Sequence, residues 1–499
     1  MNTLSENLSQ TAPLTLHPDW HATPTPLKKT WQSVGNIDQF RWLSRADVHE
    51  HLVLARDEIG VRHVRAAAMY SPEMRINRKP VSAWRNPSAV SLEPNWQMVD
   101  LNIERLLDLG IKPMYTTCFT PPGFTDSTAT CWPDSNPVGM PRDLNQWSAF
   151  VTHGLEHHVR RFGIEEMRSW WFECWNEPNL SGFFAGSKED FFRLWSATWH
   201  AVKAVDPHFR FGGPSTARGE WIEEFLDWTQ QDGTPPDYLI SHVYNNDSDS
   251  QPLSPFDGPA SHRVKDSPHF ASGVIRGVKT ELERRGWKGE IHWNEWGRSW
   301  FPCDQRRESG LESAFIVKTM AEVSQCADAF AFWCLSDIYD QIGFQSSEFE
   351  GHYGLLSLHG LRKPGWFAHV LLNRLGDRRF PVQGGNELAN ALVTETDGRA
   401  AVLVYSYPSS PEEPVTLVSV AVKLNAPHHP VKLTLLDAEH NNIIHIWKSM
   451  GSPASPTRSE LETLSRANDL QDRTLHSDHE GLVRFEMQTP GVALLEYTV

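Results

Sequence analysis

The chain has 499 residues, with 46 Lys and Arg against 62 Asp and Glu, a formal charge of −16. That balance disfavours nucleic acid, because no basic face dominates, and no stretch approaches the 18 consecutive apolar residues of a membrane span. Length suggests two to four domains, or one large barrel with an accessory domain. The first twenty residues lack a basic region followed by an apolar one, so no secretory signal is read. Six Cys without a CxxC pair give no disulfide framework and fit a reducing cytoplasm.

In chain order, the first 30 residues are polar and contain Pro, and are expected to form an arm packing on the rest. A weak strand at 32–36 precedes a helix at 44–60, with Ser44 as N-cap and Gly60 as stop. Strand and helix then alternate: strand 62–69, helix 96–110, strand 112–119, helix 144–162, strand 169–177, helix 187–205. The pattern continues with strand 210–214, helix 219–231, strand 237–244, a polar loop at 245–268 and a helix at 272–286. Strand 290–296, helix 311–325, strand 329–335 and helix 364–376 complete it. Eight strands, each followed by a helix, and strands that are almost continuously apolar predict a parallel (β/α)8 TIM barrel over 31–376. Beyond 376 the runs 388–395, 400–407, 415–424, 431–436 and 482–498 are β-rich and separated by turn residues. They predict a C-terminal antiparallel β-sandwich accessory domain over 377–499, with 448–478 as loop or short helix.

The active site of such a barrel lies at the C-terminal ends of the strands. The fourth strand ends Trp175-Asn176-Glu177-Pro178, and the seventh ends Trp293-Asn294-Glu295-Trp296-Gly297. Both finish on a Glu among aromatic residues, and both face one mouth. Two opposed carboxyl groups suit glycoside hydrolysis: one is neutral and protonates the leaving oxygen, the other is an anion that attacks the anomeric carbon. Burial against Trp raises one pKa, and Arg65 near the end of the second strand is expected to hold the other low. Glu173 reads as a deeper, buried and paired carboxylate. The chain's 21 Trp have two readings, core packing and flat platforms for sugar rings. Trp175, Trp293, Trp296 and Trp333 flank or face the carboxylates. Trp132, Trp147, Trp195 and Trp199 read equally well as packing.

The run Trp171-Phe172-Glu173-Cys174-Trp175-Asn176-Glu177-Pro178-Asn179-Leu180 resembles the acid/base motif of glycoside hydrolase family 39, the family of β-xylosidases and α-L-iduronidases. Phe209-Arg210-Phe211-Gly212-Gly213-Pro214 is similar to its fifth-strand motif, and Asp237-Tyr238-Leu239-Ile240-Ser241-His242-Val243-Tyr244 to its sixth. Trp333-Cys334-Leu335-Ser336-Asp337-Ile338 and Tyr353-Gly354-Leu355-Leu356-Ser357-Leu358-His359-Gly360 resemble the eighth strand and the loop after it. The resemblance spans 47–376. It implies Glu177 as acid/base, Glu295 as nucleophile, Asn176 on the sugar 2-hydroxyl, and Arg65 and Tyr244 orienting the nucleophile. It further implies His242 on the sugar or the carboxylates, Trp333 as the platform of the first subsite, a covalent glycosyl–enzyme, and neither metal nor cofactor.

Three departures bear on specificity. The family's Arg-x-His-Gly on the second strand reads Arg65-Ala66-Ala67-Ala68, so Ala67 stands where a sugar-binding His is expected. The acidic pair that follows reads Ser71-Pro72-Glu73-Met74, and the family's Phe-Glu-Glu reads Tyr339-Asp340-Gln341. The leading expectation is a retaining exo-β-xylosidase acting on short oligosaccharides. The rivals are the same chemistry on an arabinoside, galactoside, glucoside or uronide, and a non-catalytic carbohydrate-binding barrel. His49-Glu50-His51 does not share a helix face. His157-His158 reads as solvent-facing or packing, His440 to His445 has no third ligand by spacing, and Cys118, Cys174 and Cys334 on the predicted barrel strands read as buried small hydrophobes. The expected partner is a glycoside, with no nucleic acid and no membrane, and the acidic chain leaves room for a homo-oligomer.

Overall fold

The computed structural model describes residues 14–77, 93–131, 136–247 and 267–499. Residues 1–13 of the arm, Trp132 and most of the 245–268 loop lie outside the described residues. Eight parallel strands form one sheet in sequence order: β1 Val34–Gln39, β2 His63–Ala67, β3 Lys112–Thr116, β4 Trp171–Glu173, β5 Arg210–Thr216, β6 Tyr238–Tyr244, β7 Glu290–Gly297 and β8 Ala329–Phe332. The helices that follow them are α1 Ala46–Glu58, α2 Gln97–Asp108, α3 Leu144–Phe162, α4 Lys188–Val205, α5 Ile222–Asp232, α6 Phe270–Arg284, α7 Gly310–Val323 and α8 Pro364–Asn373. This is the expected TIM barrel. A side chain joins β1 to β8 at the seam: Asn36 Nδ2 donates to the carbonyls of Asn294 (2.8 Å), Ala331 (3.2 Å) and Phe332 (3.3 Å). The Leu335 N–H returns a bond to the Asn36 carbonyl at 2.9 Å.

Local chemistry sets the helix starts. Ser187 and Asp190 form a capping box on α4, and Asp143 accepts from the N–H groups of Asn145 and Gln146 to start α3. The expected Ser44 cap is not used. Residues Phe40–Ser44 form a 3-10 turn, α1 starts at Ala46, and the Ser44 hydroxyl instead donates to Asn102 Oδ1 at 3.0 Å. The glycines of β5 are packing residues: a Cβ on Gly212 would meet the Tyr238 ring at 2.4 Å, and one on Gly213 the Trp195 ring at 2.7 Å.

Two further sheets pack face to face. One runs Asp472–His476, Pro430–Leu436, Gly491–Thr498, Arg399–Ser406, Ala389–Thr396, Arg378–Phe380, Thr25–Pro26. The other runs Val382–Gln383, Leu14–Pro18, Thr416–Lys423, Leu482–Thr489. Two features differ from expectation. The arm supplies a strand to each sheet, and Leu14–Pro18 pairs parallel to Thr416–Lys423, so the sandwich is not purely antiparallel. The 482–498 run is also two strands in different sheets, parted at Pro490, which has no N–H for a ladder. The central strands of the seven-stranded sheet, Arg399–Ser406 and Gly491–Thr498, are buried on both faces. Val402, Val404 and Leu495 point into the sandwich, whereas Ala401, Leu403 and Leu494 join the barrel's core. This is why the 400–407 run is apolar at nearly every position.

Candidate active site

The site is built where β2, β4, β6 and β7 end. β4 is only three residues long. After Glu173 the chain leaves the strand, with Trp175 at φ 66° and Glu177 at φ 45°, both in the left-handed region that side chains rarely adopt. The Glu177 N–H is caught by the Ser215 carbonyl at 2.8 Å. Backbone held this way is typical of functional sites. It also means that strand alternation does not carry from Glu173 to Glu177. β7 continues through Glu295 to Gly297, so Glu295 is presented from a regular strand.

Arg65 is the hub. Its Nε donates to Glu173 Oε2 (2.8 Å), Nη1 to Glu295 Oε2 (3.0 Å) and Nη2 to Asn176 Oδ1 (2.6 Å). Glu173 also accepts from Thr116 Oγ1 and from Asn294 Nδ2, each at 2.9 Å, so this deep carboxylate is fully satisfied. Burial opposes its charge, yet Arg65 and these donors hold it below the ordinary carboxylate range. Glu295 accepts in addition from the Tyr244 hydroxyl at 2.8 Å. Glu177 has a different neighbour: His242 Nδ1 lies 3.0 Å from Glu177 Oε1 and 3.6 Å from Glu295 Oε2. Burial pushes the His242 imidazole down to about 4, so it is neutral at neutral pH.

Burial pushes the Glu177 carboxyl up to about 7, against the charges of Arg65 and Arg218. Glu295 also moves upward, through burial and the neighbouring Glu177, although His242, Arg65 and Tyr244 pull it back. The expectation that Arg65 holds this carboxylate low is therefore corrected. The guanidinium is shared, and its Nε is committed to Glu173. The asymmetry lies in the donors: Glu295 has a guanidinium and a phenol that stabilise its anion, and Glu177 has one neutral imidazole.

Glu177, Glu295, Asn176, Tyr244 and Trp333 line one cavity of about 500 Å³, together with Arg218, Asp247, Trp300, Gln341, Ile342 and Tyr353. Arg65 and His242 stand behind it, fully buried. The structure thus brings together Glu177, Glu295, Asn176, Arg65, His242, Tyr244 and Trp333. The tryptophans divide differently from the expectation. Trp175, Trp293 and Trp296 flank the carboxylates in sequence only, and their rings pack in the barrel core, Trp175 against Phe119 and Phe184 and Trp296 against Phe315 and Phe332. Trp333 reaches the cavity. So does Trp300, which sequence reasoning missed although Trp300-Phe301 is an aromatic pair in a polar loop just past Glu295. Asp247, three residues beyond Tyr244, was also missed; burial pushes its carboxyl up to about 8. Beside Ala67, Gln39 of β1 occupies the paired position and donates to Asp340 at 3.0 Å, and Asp38 accepts from the cavity residue Gln341 at 3.4 Å.

Among the described residues, two groups of His and acidic side chains cluster closely enough to hold a cation, Glu177–His242–Glu295 and Asp100–His157–His158. In the first, a cation would compete with the fixed Arg65 guanidinium. In the second, between α2 and α3, His157 Nε2 already bonds Asp100 at 2.9 Å. All six cysteines are free.

The family model for Glycosyl hydrolases family 39 matches residues 17–481. A beta-xylosidase of Caldicellulosiruptor saccharolyticus is 28% identical over 439 residues, 86% of either chain. One of Geobacillus stearothermophilus is 27% identical over 447 residues, 88% of this chain and 86% of the relative. Among solved structures, a monomeric beta-xylosidase from Caulobacter crescentus CB15 superposes with a TM-score of 0.83 at 26% identity, covering 97% of this chain and 99% of the other. The chain belongs to glycosyl hydrolases family 39 and is a glycosidase.

Proposed function

We propose that the protein is a retaining, exo-acting β-xylosidase that releases terminal xylose from short β-xylosides by double displacement. The observation that carries the retaining mechanism is the closeness of the two carboxyls: an oxygen of Glu177 lies within 4.8 Å of one of Glu295. Retaining enzymes hold their carboxyl groups about 5–5.5 Å apart, and inverting ones about 6.5–9.5 Å to admit water. Glu295, its anion held by Arg65 and Tyr244, attacks the anomeric carbon as the C–O bond to the aglycone breaks. Glu177, neutral below pH about 7, gives its proton to the departing oxygen. Water then enters, Glu177 takes its proton, and the hydroxide displaces Glu295 with overall retention. Asn176 meets the 2-hydroxyl, and Trp333 lies under the ring. The xyloside preference and exo mode rest on the β-xylosidase relatives. In the same reading 31–376 is the catalytic barrel and 377–499 the accessory sandwich tied on by the arm, and the six free thiols support a reducing compartment.

A panel of nitrophenyl glycosides tests the sugar, and proton NMR of the first-formed product tests the stereochemistry. β-Xylose from the β-xyloside is expected; an α-anomer refutes double displacement. Ala67 favours a second reading, in which the same machinery takes another glycoside. A preference for a galactoside, glucoside, arabinoside or uronide over the xyloside in that panel would establish it.

A further inference from the structure

Eight large hydrophobic side chains are exposed among the described residues. Scattered singly, such side chains need no explanation. Half of them, however, stand on the two loops that follow β7 and β8: Trp300 (47% exposed), Phe301 (53%), Ile342 (55%) and Phe344 (53%). Trp300 and Ile342 line the same cavity as Glu177 and Glu295, so the apolar rim is continuous with the catalytic centre. Phe301 stands edge-on to Trp300, and Phe344 edge-on to Trp42; exposed apolar side chains grouped about the mouth of a cavity are a feature of binding surfaces.

The rim is also braced. The Trp300 N–H donates to Asn246 Oδ1 at 2.9 Å, and its indole Nε1 donates to the Asn246 carbonyl at 3.2 Å. The Trp300 carbonyl accepts from the Tyr353 hydroxyl. The one polar atom of the indole is therefore committed to the protein, and the ring offers carbon. Phe301, Ile342 and Phe344 have no polar side-chain atom. Of the polar side chains that line the cavity, Arg218 acts on Glu177, and Gln341 stands beside Ile342.

We propose that this rim receives the leaving group, and that the enzyme is built for glycosides whose aglycone is an apolar body, alkyl, terpenoid or phenolic, rather than a second sugar. The proposal rests on the glycosidase reading of Glu177 and Glu295 and adds the class of aglycone. A second sugar ring would bring hydroxyls that need polar partners when water leaves, and these four side chains supply none, leaving Gln341 in the cavity and Arg45 over the Phe344 ring as the polar groups nearby. An apolar body loses water from its own surface and covers the exposed parts of these side chains. A cavity of about 500 Å³ is of the size that takes a drug-sized ligand, more than one pentose ring fills.

The test is a chain-length series of methyl, butyl and octyl β-xylosides, used below the micelle threshold, alongside xylobiose. The alcohols differ little in acidity, so differences report binding of the chain. The expected kcat/KM rises at least tenfold from methyl to octyl and exceeds that for xylobiose. The Phe301→Ser/Phe344→Ser variant is expected to narrow the octyl-to-methyl ratio below threefold. A ratio near one in the wild type, or xylobiose preferred over octyl xyloside by tenfold, overturns the proposal. A dimer seen by sedimentation that dissociates on these substitutions, with a flat ratio, assigns the rim to a second copy instead. If no xyloside turns over, it is the sugar assignment that has failed; the same alkyl series on the best glycoside of the panel, or its calorimetric binding to Glu177→Gln protein, then decides the aglycone.

Discussion

The ends of β4 and β7 carry the same three letters, Trp-Asn-Glu, at 175–177 and 293–295, yet they build different devices. At β7 the strand runs straight through Glu295 and hands it to Arg65 and Tyr244. At β4 the backbone turns out through two left-handed residues and sets Glu177 beside an uncharged His242. The two Asn residues differ as well. Asn176 accepts from Arg65 at the cavity wall, whereas Asn294 donates to the deep Glu173. A carboxyl becomes an acid or a nucleophile through its donors, and the tripeptide does not specify these.

The comparison breaks most sharply under nucleophile removal. Glu295→Gly is expected to lower kcat by at least about 10^4-fold. With azide supplied, it should form the α-xylosyl azide, whereas Glu177→Ala should form the β-xylosyl azide. The same azide anomer from both variants would refute the division of roles. Next in size, Glu177→Gln should cost about 10^2- to 10^4-fold on alkyl xylosides and far less on dinitrophenyl xyloside, whose leaving group needs no proton. Equal losses on both would show that Glu177 is not the acid. Tyr244→Phe removes one donor from the Glu295 anion and should lower kcat about 10- to 100-fold, as expected for a hydrogen bond to a charged group.

The remaining expectation concerns pH. As the proposed acid Glu177 would work protonated, so kcat/KM should fall as pH rises through about 7, and the fall should vanish in Glu177→Gln. The acid limb should lie above the ordinary carboxylate range, because Glu295 is raised too. Both limbs report the coupled pair. The stability linkage has the same sign. A carboxyl raised in the fold contributes stability that is complete below its unfolded pKa and lost as pH rises through about 7. Glu177→Gln should therefore stabilise the protein by about 1–3 kcal/mol at pH 8 and by little at pH 4. Equal unfolding midpoints of variant and wild type at both pH values would contradict this.

Much of this was legible where local rules and tertiary structure agree. Helix α3 begins and ends at the residues its Asp143 cap and Gly163 indicate, and the apolar runs of β6 and β7 mark strands buried on both faces. The two carboxyls proposed as catalytic could be read from the Trp-Asn-Glu runs near the ends of the fourth and seventh strands. Short edge strands such as Asp472–His476 escaped, because pairing on one side leaves no apolar period to read. The roles of the tryptophans escaped for another reason. Trp296 follows Glu295 on a strand and points to the opposite face, whereas Trp175 and Trp293, two residues before their Glu, are turned into the wall by the left-handed backbone after β4 and the register shift in β7. The level of Glu295 was misjudged because no sequence shows how far burial and the neighbouring Glu177 outweigh the pull of Arg65.

The parallel pairing of Leu14–Pro18 with Thr416–Lys423 has a consequence for biosynthesis. The strand leaves the ribosome about 400 residues before its partner, so at synthesis rates of about 5–20 residues per second it waits roughly 20–80 s. The barrel has time to form while one strand of the sandwich remains an open edge. On that timing every barrel strand has been made before Leu14–Pro18 can meet its partner, and the pairing works as a late clasp on the sandwich.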